Sequence, residues 1–375
     1  YVAANTYVAL AVYTPNITLD CGGMNISGKN SDGTGIYSVK ENFTIKNCII
    51  KHYDDGIYID SGADGTHIIG NIITHNIVRG VYLPDANSDR HNISHNQFVN
   101  NTHSAGGSDR DIFWDNSGSN NTISYNNFTS HNYANIEIEG TSNDNNILYN
   151  RFYTAETYHI FLDDTSTDAV RYTIRGNYFN GSRNWAIDIE AAEYTLIENN
   201  NFTNNGDATS EGSIYITGTS TWGNITNNSF WKNPNYATWS IYFVGSGDDY
   251  NTVWNNVFLN NESTSWYIED NGGTNWYNLS NLGNYWQEYD SAAEGCNDGG
   301  KDGICDITYT ADDQARAIDY YPSTTSFGWD VAPNITAINP ARNEVLAVGT
   351  KVTWVNITTD VASTCQYNDS SDFTY

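Results

Sequence analysis

The chain has 375 residues, with 16 Lys and Arg against 44 Asp and Glu, a formal net charge of -28. That balance excludes phosphate-backbone binding, which needs basic side chains, and disfavours docking on an anionic bilayer. Strong helix formers are few while Tyr (28), Trp (11) and turn residues are plentiful, so an all-β protein with a real core is expected rather than a disordered chain.

No apolar run reaches the roughly 18 residues needed to span a bilayer as a helix. The chain starts at Tyr1 and stops at Asp372-Phe373-Thr374-Tyr375 in mid-pattern, so a mature or fragmentary chain is expected. The first predicted element is a short apolar strand over Tyr7–Tyr13. It has no amphipathic capping helix, so it either covers its own first coil or adds a strand to a neighbour.

A repeat follows. The phrase Asn-x-Ile-x-x-Asn-x-Phe reads Asn121-Thr-Ile123-Ser-Tyr-Asn126-Asn-Phe128 in one copy and Asn251-Thr-Val253-Trp-Asn-Asn256-Val-Phe258 in another. Its second Asn falls at Asn47, Asn71, Asn96, Asn126, Asn150, Asn177, Asn200, Asn228 and Asn256. The steps are roughly 23 to 30 residues, a solenoid period. After each phrase comes a second short strand, such as Gly56-Ile57-Tyr58-Ile59 or Ser213-Ile214-Tyr215-Ile216. Both alternate apolar and polar with period two.

Strand-turn-strand-loop coils of this length stack in parallel, with Ile, Val and Phe in inward columns and the recurring Asn as an internal ladder. The fold expected is an all-β, right-handed parallel β-helix of about ten coils, on the order of 50 Å long. A coil cannot bury its apolar face alone, so stability comes from stacking.

The middle residue of each second strand points outward: Tyr37, Tyr58, Tyr82, Phe113, Glu137, Phe161, Asp188, Tyr215, Tyr242 and Tyr267. This predicts an aromatic stripe, interrupted by two acids, that either binds sugar rings or a neighbouring subunit, or stabilises the sheet by cross-strand pairing.

Asn16-Ile-Thr-Leu-Asp20-Cys21-Gly-Gly, Gly35-Ile36-Tyr37 and Asn42-Phe-Thr-Ile45-Lys-Asn47-Cys48, with the closing phrase Leu282-Gly-Asn284-Tyr-Trp286-Gln-Glu-Tyr289-Asp290, carry a resemblance. Residues 14 to 323 resemble parallel β-helix repeat proteins, among them archaeal surface proteins and the nitrous-oxide-reductase maturation (periplasmic copper-processing) family. The resemblance implies fold more than activity. It raises copper for His67, His75, His91, His95 and His103, but these form no column on the coil register.

Near the end of the helix, Cys296-Asn-Asp298-Gly-Gly-Lys-Asp302-Gly-Ile304-Cys305-Asp306 predicts a Cys296–Cys305 disulfide. It also predicts a Ca²⁺ loop using Asp298, Asp302, the carbonyl of Ile304 and Asp306, although Gly300 stands where a ligand belongs. Cys21 and Cys48, one coil apart, either bridge or stack as thiols. From Ala332 the texture changes. Pro333, Pro340, Val345–Val348 and Val352–Ile357 read as short antiparallel strands, resembling the start of an immunoglobulin-like module with Thr364-Cys365-Gln-Tyr367. The domain reading is therefore 1–323 β-helix with its capping loop, 324–332 linker, and 333–375 partial immunoglobulin-like module.

Glycosylation sequons occur at Asn16, Asn25, Asn42, Asn92, Asn100, Asn120, Asn127, Asn180, Asn201, Asn224, Asn227, Asn261, Asn278, Asn334, Asn356 and Asn368. With the cysteines they point to an extracellular, cell-surface glycoprotein. Catalytic carboxylates would be Asp54-Asp55 or Asp163-Asp164, but neither shows a basic partner on a neighbouring coil. The sequence thus favours a non-enzymatic structural or adhesive protein. It would be a self-assembling subunit of an S-layer, sheath or filament, with copies of itself or surface glycans as partners. A polysaccharide-binding or polysaccharide-modifying β-helix is the alternative.

Overall fold

The structure is a computed structural model. It describes residues 7–29, 33–84, 89–101, 109–115, 118–129, 133–140, 143–163, 171–206, 211–231, 239–259, 267–312 and 314–326, and the strands at 335–339 and 356–359. The chain divides into two units, Tyr1–Thr324 and Thr325–Tyr375. Among the described residues there is no helix long and apolar enough to cross a membrane.

The first unit is a solenoid of three parallel sheets. Sheet A stacks 11 strands, from Val8–Val12 to Ile268–Asp270; sheet B stacks 10, from Thr18–Asp20 to Thr252–Trp254; sheet C stacks 11, from Asn25–Ser27 to Tyr285–Trp286. The sequence phrase was read as one strand, and it is two. Ile123 lies in a sheet B strand, Thr122–Ser124, and Phe128 in a sheet C strand, Asn127–Phe128. Between them Tyr125 turns the corner at φ 55°, a left-handed conformation costly for a residue with a Cβ. Each coil thus has three faces, with the second strand of the sequence pattern forming sheet A.

Register keeps like over like. In sheet A, Ile36, Ile57, Val81, Ile112, Ile136, Ile160, Ile187, Ile214, Ile241 and Ile268 pair in turn. In sheet C, Phe98, Phe128, Phe152, Phe179, Phe202, Phe230 and Phe258 stack ring on ring at 4.8–4.9 Å, closed by Trp286 at 4.3 Å. These columns form one continuous buried core.

The asparagine ladder stands at the corner between sheets B and C. From Asn71 through Asn256, each side-chain Nδ2 donates to the Oδ1 of the next rung at 3.0–3.1 Å. Each backbone N–H donates to the same oxygen, as Asn126 does to Asn150 at 2.9 Å. The second Nδ2 hydrogen goes to a carbonyl one coil back, as from Asn150 to Ile123 at 2.8 Å. Every polar atom of these buried amides is therefore occupied, which is the condition for burying them. Asn47 does not belong to the ladder. It is exposed, and its amide donates to Asp20. The rung in that coil is Cys48, whose N–H donates to Asn71, and Cys48 is disulfide-bonded to Cys21 in the coil before it.

At the other end the ladder passes to Asn284 and then to Asp319. The Asp319 carboxylate accepts from the N–H of Asn284 (2.6 Å) and the indole of Trp286 (3.0 Å). Asp319 lies on an antiparallel pair, Tyr309–Thr310 with Ile318–Asp319. Cys296 and Cys305 close their loop by a disulfide. The N-terminal strand Val8–Val12 pairs in parallel with Thr34–Ser38, on its own first coil. The second unit contains an antiparallel pair, Ile335–Asn339 with Asn356–Thr359.

Candidate functional site on the outer face of sheet A

The outward column of sheet A follows the expected residues from Tyr37 to Tyr242, with one correction at its end. Tyr242 pairs with Glu269. Tyr267 is fully buried and packs on Phe258 and Trp286. The rings are not a free apolar strip. Tyr37, Tyr58, Tyr82 and Phe113 touch successively at 5.1–5.5 Å, and Tyr37 is itself buried. The Arg79 guanidinium lies 3.4 Å over the Tyr82 ring. Arg79 also holds Asp55 through two hydrogen bonds, at 2.6 and 3.2 Å. Asp55 therefore does have a basic partner one coil on, contrary to the sequence reading.

Acids take over in the middle of the face. Glu137 occupies the stripe position beside Phe113 and Phe161, and Asp188 the position beside Phe161 and Tyr215. Arg110 pairs with both oxygens of Glu137, at 2.6 and 2.7 Å. Two residues along each strand, Glu139, Asp163 and Glu190 stand in register on three consecutive coils. Parallel neighbours are about 4.8 Å apart, so these carboxylates crowd one another. All three are half-buried.

Burial first, then a hydrogen bond with Glu137 and neighbouring negative charge, pushes Glu139 up to about 7. Burial first, then the charge of Glu137, raises Asp163. Burial and then Asp163 raise Glu190. Asp188 is 3% exposed, and burial with the nearby Glu190 charge pushes it up to about 8. Among the described residues its Oδ1 has no hydrogen-bond partner.

Aromatic rings share this face. Tyr133, Tyr158 and Phe161 form one group, with contacts of 5.1–6.4 Å. Trp185, Tyr215 and Tyr242 form another, with contacts of 5.1–6.1 Å. The arrangement sets Glu139, poised at about 7, beside further carboxyl groups on the neighbouring coils, a pairing that acid–base chemistry can use.

The sequence singled out Glu137 and Asp188 only as interruptions, named Asp163 with Asp164 as a candidate catalytic pair, and passed over Glu139 and Glu190. Asp164 lies outside the described residues.

The proposed calcium residues do not converge. Asp298 accepts from the N–H groups of Asp302 and Gly303, Asp302 from Ile304, and Asp306 from Gly299. Among the described residues no group of three His, Cys, Asp or Glu is placed to hold a metal ion.

Every sequon asparagine whose side chain is described is exposed or half-buried. Asn261, Asn334 and Asn368 lie outside the described residues, as does the side chain of Asn356.

A family model described as the right handed beta helix region matches residues 34–183 and 149–282, and the chain belongs to that family. No curated protein matches it. Among solved structures it is similar to the A-module of mannuronan C-5 epimerase AlgE6 from Azotobacter vinelandii, at 10% identity and TM-score 0.50 over 74% of this chain and 79% of that one. DFA-IIIase from Arthrobacter chlorophenolicus A6, solved without its lid, matches at 15% identity and TM-score 0.47 over 59% of this chain and 55%, about half, of that chain. The Dettilon tailspike protein matches at 14% identity and TM-score 0.46, over 70% and 61%. At such identities the likeness is one of fold.

The expectation of a non-enzyme is corrected here. An enzyme, the mannuronan epimerase module, stands among the solved structures similar in fold to this chain, so the solenoid gives no ground for excluding catalysis. The sequence argument against it also fails at Arg79 and Asp55.

Proposed function

We propose that this chain is an extracellular protein that binds and chemically modifies a polysaccharide on the outer face of sheet A. The observation that carries the reading is the register of Glu139, Asp163 and Glu190 on consecutive coils, with Glu139 poised at about 7. A carboxyl group half-protonated at neutral pH is a general acid, and an ionised one beside it is a base or nucleophile. The aromatic rings of the same face offer flat apolar surface to sugar C–H faces. The solved epimerase, by its name, acts on mannuronan, which agrees with a glycan as ligand for this fold.

Assembly through the stripe or the N-terminal strand has less support. The stripe rings pack on one another, and Val8–Val12 pairs within its own chain.

The test is turnover of a panel of polysaccharides by the full chain, read as reducing ends released and as unsaturated uronate absorbance. Glu139→Gln and Asp163→Asn are expected to lower turnover on the order of 10²–10⁴-fold with folding intact. A double variant as active as the wild type, or no polysaccharide changed by the wild type, overturns the reading. The surface placement of the sequons supports an exported glycoprotein. Protein from its native source should then weigh more than its polypeptide, and an intact mass equal to the polypeptide removes that part.

A further inference from the structure

The corner between sheets A and B repeats one backbone turn along the rod. At Asn16, Asn42, Gly65, Arg90, Asn120 and Asp144 φ is 54–65°. The N–H at this position donates to the next coil, as from Asn42 to the Asp64 carbonyl and from Asn120 to that of Asn143. Asn, Gly and Asp suit this left-handed conformation. Toward the C-terminal end the residue type changes. Tyr194, Trp222 and Tyr250 hold the same position, at φ 53°, 58° and 62°, with the same hydrogen bonds to Thr221, Asp249 and Thr274. A bulky ring in this conformation costs stability that Asn or Gly would not, so three in succession need a cause outside the backbone.

Stacking within the chain does not supply it. At the corner between sheets B and C, His95, Tyr125 and Tyr149 lie flat on one another at 5.1–5.2 Å. Tyr149 also lies against Gly176, where a Cβ would come within 2.4 Å of its ring, so that column uses its own ring faces. Here Trp222 stacks on Tyr250 at 4.6 Å, and Trp276 reaches both, at 6.4 and 5.8 Å. Among the described residues Tyr194 and Trp222 make no ring contact, although they stand on adjacent coils. All four rings are 41–48% exposed. Their hydroxyl and indole donors have no hydrogen-bond partner among the described residues, whereas the indole of Trp254 donates to Asn224 at 2.9 Å. Beside the rings, Asn224 and Thr252 pair in sheet B, both half-buried, and Thr252 pairs with Trp276.

Aromatic rings of roughly 150–250 Å² each, less than half exposed, present at most about 500 Å² together. That falls short of the roughly 800 Å² a stable protein interface takes from each partner. Apolar faces with unmet donors, flanked by an amide and a hydroxyl, fit a sugar, which has a C–H face and a rim of hydroxyls. The Tyr194 coil also carries the strand Trp185–Glu190, the last of the carboxylate face. Resting on the glycan reading above, we propose that this corner is a second, non-catalytic binding platform. It seats a polysaccharide chain along the rod over three coil steps of about 4.8 Å and holds it beside the sheet A site.

The experiment is native electrophoresis of the full chain through gels that hold glucan, mannan, xylan, polygalacturonate or alginate in turn. At least one should retard the wild type in proportion to its concentration. Trp222→Asn combined with Tyr250→Gly introduces residue types that the same corner uses in other coils. This double variant should weaken retention at least about tenfold and melt no lower than the wild type. Tyr125→Asn, in the closed stack, should leave retention unchanged. If the double variant melts lower, Trp276→Ala, which leaves the corner backbone alone, decides by the same loss of retention. Retention that survives these variants overturns the inference, as does a wild type that no polysaccharide retards. Neither outcome touches the sheet A reading, which stands or falls on turnover. A sugar attached at Asn224 in protein from its native source would make the occupant the chain's own glycan and also overturns the inference.

Discussion

The asparagine ladder and the outer face of sheet A are both built from one residue per coil, yet they differ in what they repeat. Inside, Asn follows Asn from Asn71 to Asn284, and each amide meets the same three kinds of partner. Outside, aromatic rings give way over three coils to Glu137, Glu139, Asp163, Asp188 and Glu190, whose charges oppose one another. A column that repeats satisfies its own polar groups and needs nothing else. A column that breaks its repeat with mutually repelling acids gives up stability locally, and that loss calls for a function.

The comparison can be broken first at the ladder. Asn150→Ala removes the acceptor for the Asn126 N–H and amide, and the donor to Ile123 and Asn177. Several buried groups lose partners at once, so urea unfolding should show a loss of about 4 kcal/mol. A loss below about 1 kcal/mol would make the ladder ornamental. Next is its covalent start. Replacing both Cys21 and Cys48 by Ala opens a crosslink across a sequence separation of 27 and should cost about 3 kcal/mol, measured the same way.

The outer face should respond in the opposite direction. Asp188 at about 8 and Glu139 at about 7 hold protons in the folded chain that ordinary carboxylates, at 3.8 and 4.5, release on unfolding. Their stabilising contribution is present at low pH and is lost as pH rises through about 7 to 8. His91 and His159, pushed down by burial to about 4 and about 3, act oppositely. They are neutral when folded, so they weaken the fold as pH falls below 6.5. The window free of that opposition is pH 6.5 to 8, where the melting temperature should fall with rising pH. Asp188→Asn should flatten that slope and stabilise the protein at pH 9 by about 2 kcal/mol. A variant less stable than wild type at pH 9 would remove the claim that this face is under strain.

The smallest effect is expected from calcium. With Asp298, Asp302 and Asp306 each turned to backbone N–H groups, Tm in chelator and in millimolar Ca²⁺ should differ by less than about 2 °C. A larger rise would restore the loop as a cation site.

What could be read without coordinates divides along the same line. The solenoid was legible because Asn126, Ile123 and Phe128 recur with their spacing, and stacking turns recurrence in sequence into columns in space. The same logic misplaced Tyr267, two residues short of the true stripe position: the step from Tyr242 to Glu269 is 27 residues, as in the three coils before it. It also placed Asn47 on the ladder one residue before the true rung, Cys48. The carboxylate cluster was not legible. Glu139, Asp163 and Glu190 are separated by 24 and 27 positions, and nothing in their local sequence sets them apart from turn residues. Arg79 and Asp55 were missed for the same reason: the pairing exists only once the register is known.

The uniform rungs also make rod length a free variable in evolution and in engineering. Excising residues 200–227 would join Asn199 to Asn228, so that Asn228 and Phe230 follow Asn177 and Phe179 in their columns, chemically the same neighbours as before. Whole coils can be gained or lost by recombination without inventing a new interface, because each coil presents its successor with the surface it received from its predecessor. The coils from Arg110 to Glu190 are the stretch where such a change would be felt, since their meaning depends on which coil sits beside which.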